Sequence, residues 1–167
     1  MQQNESKSNL FAARLDILKT EWGFLQDKII KYDGIVFSIR GWAVSVWTAC
    51  LIFAAKDNEP TIMLLCTIPL AIFWLVDSLN KSIQRKFIHR VNEIEKYLSS
   101  TNFEEDYAKQ ELLGIVAPTL RTSFENRSAM TQLKELAEAA NLRNVKYVYW
   151  SLILSSLASF IYLQCYS

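Results

Sequence analysis

Three apolar stretches, residues 35–55, 61–76 and 148–163, constrain this chain more than any other feature. Each is ~16–21 residues long, against the ~20 that an α-helix needs to cross a hydrocarbon core. Backbone N–H and C=O groups find no water in such a core, so a spanning segment must satisfy them within a helix or a closed barrel. The chain has no strand-type alternation long enough to trust. The expected class is therefore all-α: an integral membrane helical bundle of three transmembrane helices with cytoplasmic amphipathic helices. Leu79 can extend the second stretch, and Tyr147 and Tyr149 the third.

Charge then sets the orientation. Of 18 Lys and Arg residues, Arg40 lies within the first stretch, Lys56 lies in the turn beyond it, and the other 16 lie to one side of the three stretches. Lys28 and Lys31 precede the first, Lys81, Arg85, Lys86 and Arg90 follow the second, and Arg143 and Lys146 precede the third. Positive flanks are retained in the cytoplasm, and the bias counts most close to the ends of a span. The amino terminus and residues 78–144 are thus expected inside, with the turn at 56–60 and the carboxyl terminus outside. The first 33 residues are polar or amphipathic and lack the apolar core of a cleavable signal peptide. A net charge of +1 gives no reason to expect nucleic acid.

Four segments follow from this pattern. Residues 1–33 form a cytoplasmic amphipathic helix, in which Phe11, Leu15, Leu18, Trp22, Leu25, Ile29 and Tyr32 repeat at the 4-3 spacing of a bundle seam. Residues 34–77 form a two-span hairpin, because a turn of five residues can join only antiparallel neighbours. Pro60 suits the first turn of the second helix, and Pro69 is expected to kink it unless neighbours satisfy the freed carbonyl. Residues 78–144 form a cytoplasmic helical region. The second helix runs on past Asp77 with Leu79, Ile83, Phe87, Val91, Ile94 and Leu98 as its apolar stripe. Asn102 with Glu105 predicts a capped helix from Phe103 to about Leu113. Residues 119–127 read as irregular, and another helix is expected over 128–142. Residues 145–167 form the third transmembrane helix.

A few polar residues stand out against this background. Arg40 lies inside the first apolar stretch, where a charge is costly and is paired or functional. It sits 18 residues before Asn58, the centre of the hairpin turn, and Asp77 sits 19 after it. On antiparallel helices these positions are nearly level, so an intramembrane ion pair between Arg40 and Asp77 is one reading. Snorkelling to lipid phosphates and a gating role are the others. Trp42 and Trp74 are each 16 residues from Asn58, and with Trp150 they are expected to anchor at the interface. Ser151, Ser155 and Ser159 recur every four residues on one helix face, which suits close helix packing or the weakly polar lining of an oligomeric pore. Lys81, Arg85, Lys86 and Arg90 suit anionic lipid headgroups.

Catalytic chemistry finds little to work with. His89 is the single histidine, and no cysteine cluster accompanies it, so no metal site is expected. Arg85-x-x-x-His89 is one residue short of the Arg–His spacing of HEPN ribonucleases. No Gly-rich phosphate loop is present, and no cofactor is expected. Cys50, Cys66 and Cys165 read as free thiols. Asn126-Arg127-Ser128 matches a glycosylation sequon, on a segment expected to face the cytoplasm.

The order of parts resembles the SLATT family of bacterial conflict-system membrane proteins. The likeness covers residues 10–98 and rests on layout and on the Lys31-Tyr32-Asp33 and Ile39-Arg40-Gly41-Trp42 stretches. It resembles the membrane accessories of RNA-targeting CRISPR systems as well. The third span departs from the two-span pattern. The resemblance implies a homo-oligomer in the bacterial inner membrane that disturbs the lipid bilayer when a cytoplasmic protein partner or small signal reports infection, without catalysis. The other reading is a membrane anchor that recruits a soluble partner and conducts nothing. An impermeant maleimide added to intact cells is expected to label Cys165, and Glu59→Cys in a Cys165→Ser background, but not Ser99→Cys; the opposite pattern would invert the orientation.

Overall fold

The computed structural model describes residues 2–118 and 128–166. The expected irregular segment at 119–127, and Asn126 and Arg127 of the sequon, lie outside the described residues. Among the described residues all regular structure is helical: α1 (Gln2–Asp57), α2 (Thr61–Leu65), α3 (Thr67–Leu98), α4 (Thr101–Lys109), α5 (Ala129–Ala140) and α6 (Arg143–Tyr166). Helix α1, the α2–α3 run and α6 are long and apolar enough to cross a membrane. Their apolar windows bury only 11%, 28% and 11% of their residues inside the chain. Phe37, Trp42, Ile52, Ile68 and Ile161 are among the side chains left outside. So much contiguous apolar surface is costly in water, and it associates the chain with a membrane.

Local chemistry explains where helices stop and where they do not. The amphipathic segment and the first apolar stretch, expected as separate pieces, form one helix of 56 residues. Gly34 lies within it and costs only ~1 kcal/mol relative to Ala, which is too little to end a helix. At the far end Asn58 takes the left-handed conformation (φ 55°), which Asn tolerates. The Glu59 N–H then donates to the Ala54 carbonyl at 3.1 Å, closing the helix as a Schellman motif does. The interruption between α2 and α3 falls at Cys66, three residues before Pro69. Pro69 has no N–H for the Leu65 carbonyl, and the Thr67 hydroxyl donates to the adjacent Leu64 carbonyl at 2.6 Å.

Two further boundaries correct the sequence reading. Helix α4 starts two residues before the expected Phe103, with Ser100 as its cap, its Oγ accepting from the Phe103 N–H. It ends at Lys109 and not near Leu113, because Gln110 turns left-handed (φ 54°) and the Glu111 N–H reaches back to the Asp106 carbonyl at 2.9 Å. Helix α5 covers Ala129–Ala140 and is capped by Ser128.

The chain packs as two compact units. The first comprises Met1–Lys31 and Gln84–Arg127 and the second Tyr32–Ile83 and Ser128–Ser167. The expected divisions at 33/34 and 77/78 therefore fall inside α1 and α3. In the first unit Phe11, Leu18 and Leu25 of α1 meet Val91, Ile94 and Tyr97 of α3 and Leu112. Here the seam differs from the expected one. Glu21 is buried, while Trp22 is partly exposed and donates through Nε1 to Glu95 at 3.2 Å. On α3 Tyr97 takes the buried place expected for Leu98.

The first unit also buries two polar clusters. The Arg90 guanidinium is bidentate to Glu21 (2.9 and 3.3 Å) and donates to Glu93 at 3.3 Å and to the Val116 carbonyl at 2.7 Å. The Asp106 Oδ2 accepts from the Tyr97 hydroxyl at 2.6 Å and from the N–H groups of Leu113 and Gly114 at 3.0 and 3.1 Å. Those three donors, Tyr97 foremost, hold the Asp106 carboxyl below the usual carboxylate range.

Gly114 makes this close approach possible, since a Cβ there would lie 2.5 Å from Tyr97 Cε2. Gly114→Ala is expected to cost about 1–3 kcal/mol, as overpacking of a tight site does, read by thermal unfolding in detergent. A carboxyl with a depressed folded pKa contributes stability above its ordinary pKa and loses it as pH falls through the depressed value. Acidification from about pH 5 to about pH 3 should therefore lower the melting temperature of the natural chain more than that of Asp106→Asn. An equal drop in both would contradict this role.

Candidate functional site

The second unit gathers a polar cluster among apolar helices. Its core is Ala43 of α1, Cys66, Leu70 of α3, and Val145 and Tyr149 of α6, with Trp47, Phe73 and Trp74 packed against it. Arg40 on α1 reaches Asp77 on α3, its Nε donating to Oδ2 at 2.8 Å. Asp77 has no solvent exposure, and the Arg40 side chain is 23% exposed. Tyr149 on α6 is fully buried and lies within electrostatic reach of both. One residue from each of the three apolar helices thus meets at one place.

This cluster is incompletely satisfied. Arg40 Nη2, Asp77 Oδ1 and the Tyr149 hydroxyl are all buried without a hydrogen-bond partner. Burying a polar atom without a partner costs about 1–3 kcal/mol, and buried ion pairs recover their desolvation only when the remaining donors and acceptors are met. The surrounding contacts hold the arrangement in place. Trp74 stacks on Tyr149 (centroids 6.4 Å, interplanar angle 17°) and donates through Nε1 to the Ala140 carbonyl at 3.2 Å. Farther along, Trp47 of α1 donates through Nε1 to Ser156 of α6 at 3.1 Å. Lys81 on α3 pairs with Asp33 on α1 at 3.1 Å.

The other residues singled out from sequence fall as follows. Trp42 and Trp150 are exposed, whereas Trp74 is half-buried and turned to α6. Ser151 and Ser155 bond carbonyls of their own helix, Val148 and Leu152, and Ser159 is half-buried. On α6 the fully buried serine is Ser156, one position off the expected stripe. Of the basic group, Arg85 is exposed and Lys86 half-buried. Arg90 is not available to headgroups, because Glu21 and the Val116 carbonyl draw it into the core of the first unit.

Tyr149, Ser156 and Glu21 escaped sequence reasoning. The signal for Glu21 was present: it shares a helical stripe with Leu18 and Leu25, at three before and four after. Tyr149 reads in sequence as one more interfacial aromatic. The three cysteines are free. Among the described residues no three His, Cys, Asp or Glu side chains gather closely enough to hold a metal ion. Comparison with protein-family models, with curated proteins and with solved structures finds nothing that matches the chain.

Arg40→Ala and Asp77→Ala are each expected to destabilise by about 3–5 kcal/mol, since each leaves the other charge buried alone. The double mutant should recover about 1–3 kcal/mol of the summed loss, in reversible unfolding by denaturing detergent. Additive losses would show that the two residues act separately. Tyr149→Phe removes a buried unpaired hydroxyl and should be neutral or stabilising, within about 1 kcal/mol.

Proposed function

We propose that this protein is a non-enzymatic, homo-oligomeric effector of the bacterial inner membrane that permeabilises the bilayer in antiphage defence. The observation that carries the reading is the Arg40–Asp77–Tyr149 cluster. It ties three apolar helices together through polar groups, three of whose atoms have no partner. A joint that is costly as it stands favours any second arrangement in which those atoms are met by water or by a neighbouring chain. Such a two-state element shifts when a signal binds one state more tightly than the other. A small signal or a protein partner acting on the first unit would supply that bias, and the cluster would act as a latch on the apolar helices.

The exposed apolar faces of α1, α3 and α6 support contact with lipid or with further copies of the chain, since three helices alone enclose no channel. The defence context rests on the layout resemblance. A non-conducting anchor needs a docking surface for a soluble partner; the Phe11 to Leu25 seam is covered by α3, while Ile17, Phe24, Leu113 and Val116 of the first unit stay exposed.

A potential-sensitive dye in cells induced to express the chain, with and without phage, tests the proposal. Depolarisation that requires the intact chain is expected on infection, and Asp77→Asn should depolarise without infection because the latch is weakened. An unchanged potential in every case, with the protein confirmed in the membrane, would favour the anchor.

A further inference from the structure

A groove separate from the polar cluster lies between α5 and the start of α6 in the second unit. It has a volume of about 660 Å³ and is open along one side. Its walls include Trp74, Ala137, Ala140, Lys146, Trp150 and Leu154. From Lys146 to Leu154 the α6 side of the groove runs ~12 Å at 1.5 Å per residue. On α6, residues 143, 146, 147, 150 and 154 share one face by their helical spacing. That face changes from Arg143 and Lys146, through Tyr147 and Trp150, to Leu154. Tyr147, Trp150 and Leu154 are all exposed.

Charge distinguishes this groove from the bare apolar faces elsewhere. Its lining holds one charged side chain, the cation Lys146. Lys146 Nζ donates to Asn141 Oδ1 at 3.1 Å and lies over the Tyr147 ring at 5.9 Å, which fixes the ammonium at the groove's mouth. An ammonium has three donors, so Asn141 leaves two to point at an anion. Arg143, exposed one turn away, adds a second positive charge. The α5 wall contributes only small uncharged residues, so no carboxylate repels an anion there.

We infer that this groove is a binding site for one anionic glycerophospholipid, with the phosphate on Lys146 and an acyl chain laid along Trp150 and Leu154. A cation and an amide at the mouth, aromatic rings at interface depth, and an apolar floor follow the order of a phospholipid from headgroup to chain. A second copy of the chain would have to present an anionic group at the mouth and an apolar one on the floor, and no α6 surface of this chain does so. The site requires only that α6 sit in a bilayer, so it stands apart from the effector proposal.

Native mass spectrometry of the full chain, extracted in detergent and offered phosphatidylglycerol or phosphatidylcholine, tests the inference. One phosphatidylglycerol should be retained per chain in preference to phosphatidylcholine. Lys146→Gln should lower that preference about five-fold, the effect of one lysine near an anionic surface. Ala137 is exposed on the groove wall, so Ala137→Trp should fill the groove and abolish retention of both lipids while helicity and oligomer size are unchanged. Equal retention of the two lipids by the natural chain would overturn the assignment. So would normal retention by Ala137→Trp, which places the lipid elsewhere. If no lipid is retained and Ala137→Trp breaks an oligomer, the groove is filled by another copy of the chain and the assignment falls.

Discussion

Asp77 is sealed from solvent among apolar helices, and Arg40 is what makes that tolerable. The pair joins α1 to α3 near the edge of their apolar zones, and Tyr149 brings α6 to the same place. Association of helices in lipid gains little from the hydrophobic effect, because the surrounding chains are as apolar as the side chains they replace. A polar joint of this kind adds interhelical hydrogen bonding to the apolar packing between the helices. The Trp47–Ser156 and Trp74–Ala140 hydrogen bonds repeat the device. In each, an indole N–H finds an oxygen on a segment distant in sequence.

The same cluster is only partly satisfied. Three of its buried polar atoms are unmet, unlike the polar clusters of the first unit. There Arg90 donates to two carboxylates and a carbonyl, and one Asp106 oxygen accepts three hydrogen bonds. Satisfied networks make a unit rigid, while a partly satisfied one leaves an alternative within reach. Arg90 and Asp106 are engaged within the first unit, whereas Arg40, Asp77 and Tyr149 each keep one buried polar atom without a partner.

Helix continuity also has a physical cause. Gly34 and Gly41 do not interrupt α1, because a glycine costs less than the loss of a helical turn in a place where carbonyls have no water. Pro69 does interrupt its run, since it removes a donor outright. The Thr67 hydroxyl donates to the neighbouring Leu64 carbonyl, and the helix restarts at once.

Much of the architecture was legible in the one-dimensional pattern. The apolar stretches define three helices long enough for a membrane, since period and length are local properties. The turn at Asn58 makes the first two antiparallel, and counting outward from it brings Arg40 level with Asp77. Caps were less legible: Ser100 and the left-handed Gln110 bound α4, not Asn102 and a stop near Leu113, because several residues of similar chemistry compete within one turn. What only the tertiary structure decided is which side chains from distant segments meet. Tyr149 with Arg40 and Asp77, Arg90 with Glu21, Tyr97 with Asp106, and Ser156 with Trp47 depend on how each helix is rotated about its axis. A rotation of one residue, about 100°, exchanges Glu21 for Trp22 or Ser156 for Ser155. Local sequence sets the helix, and only packing against its neighbours chooses the face it buries.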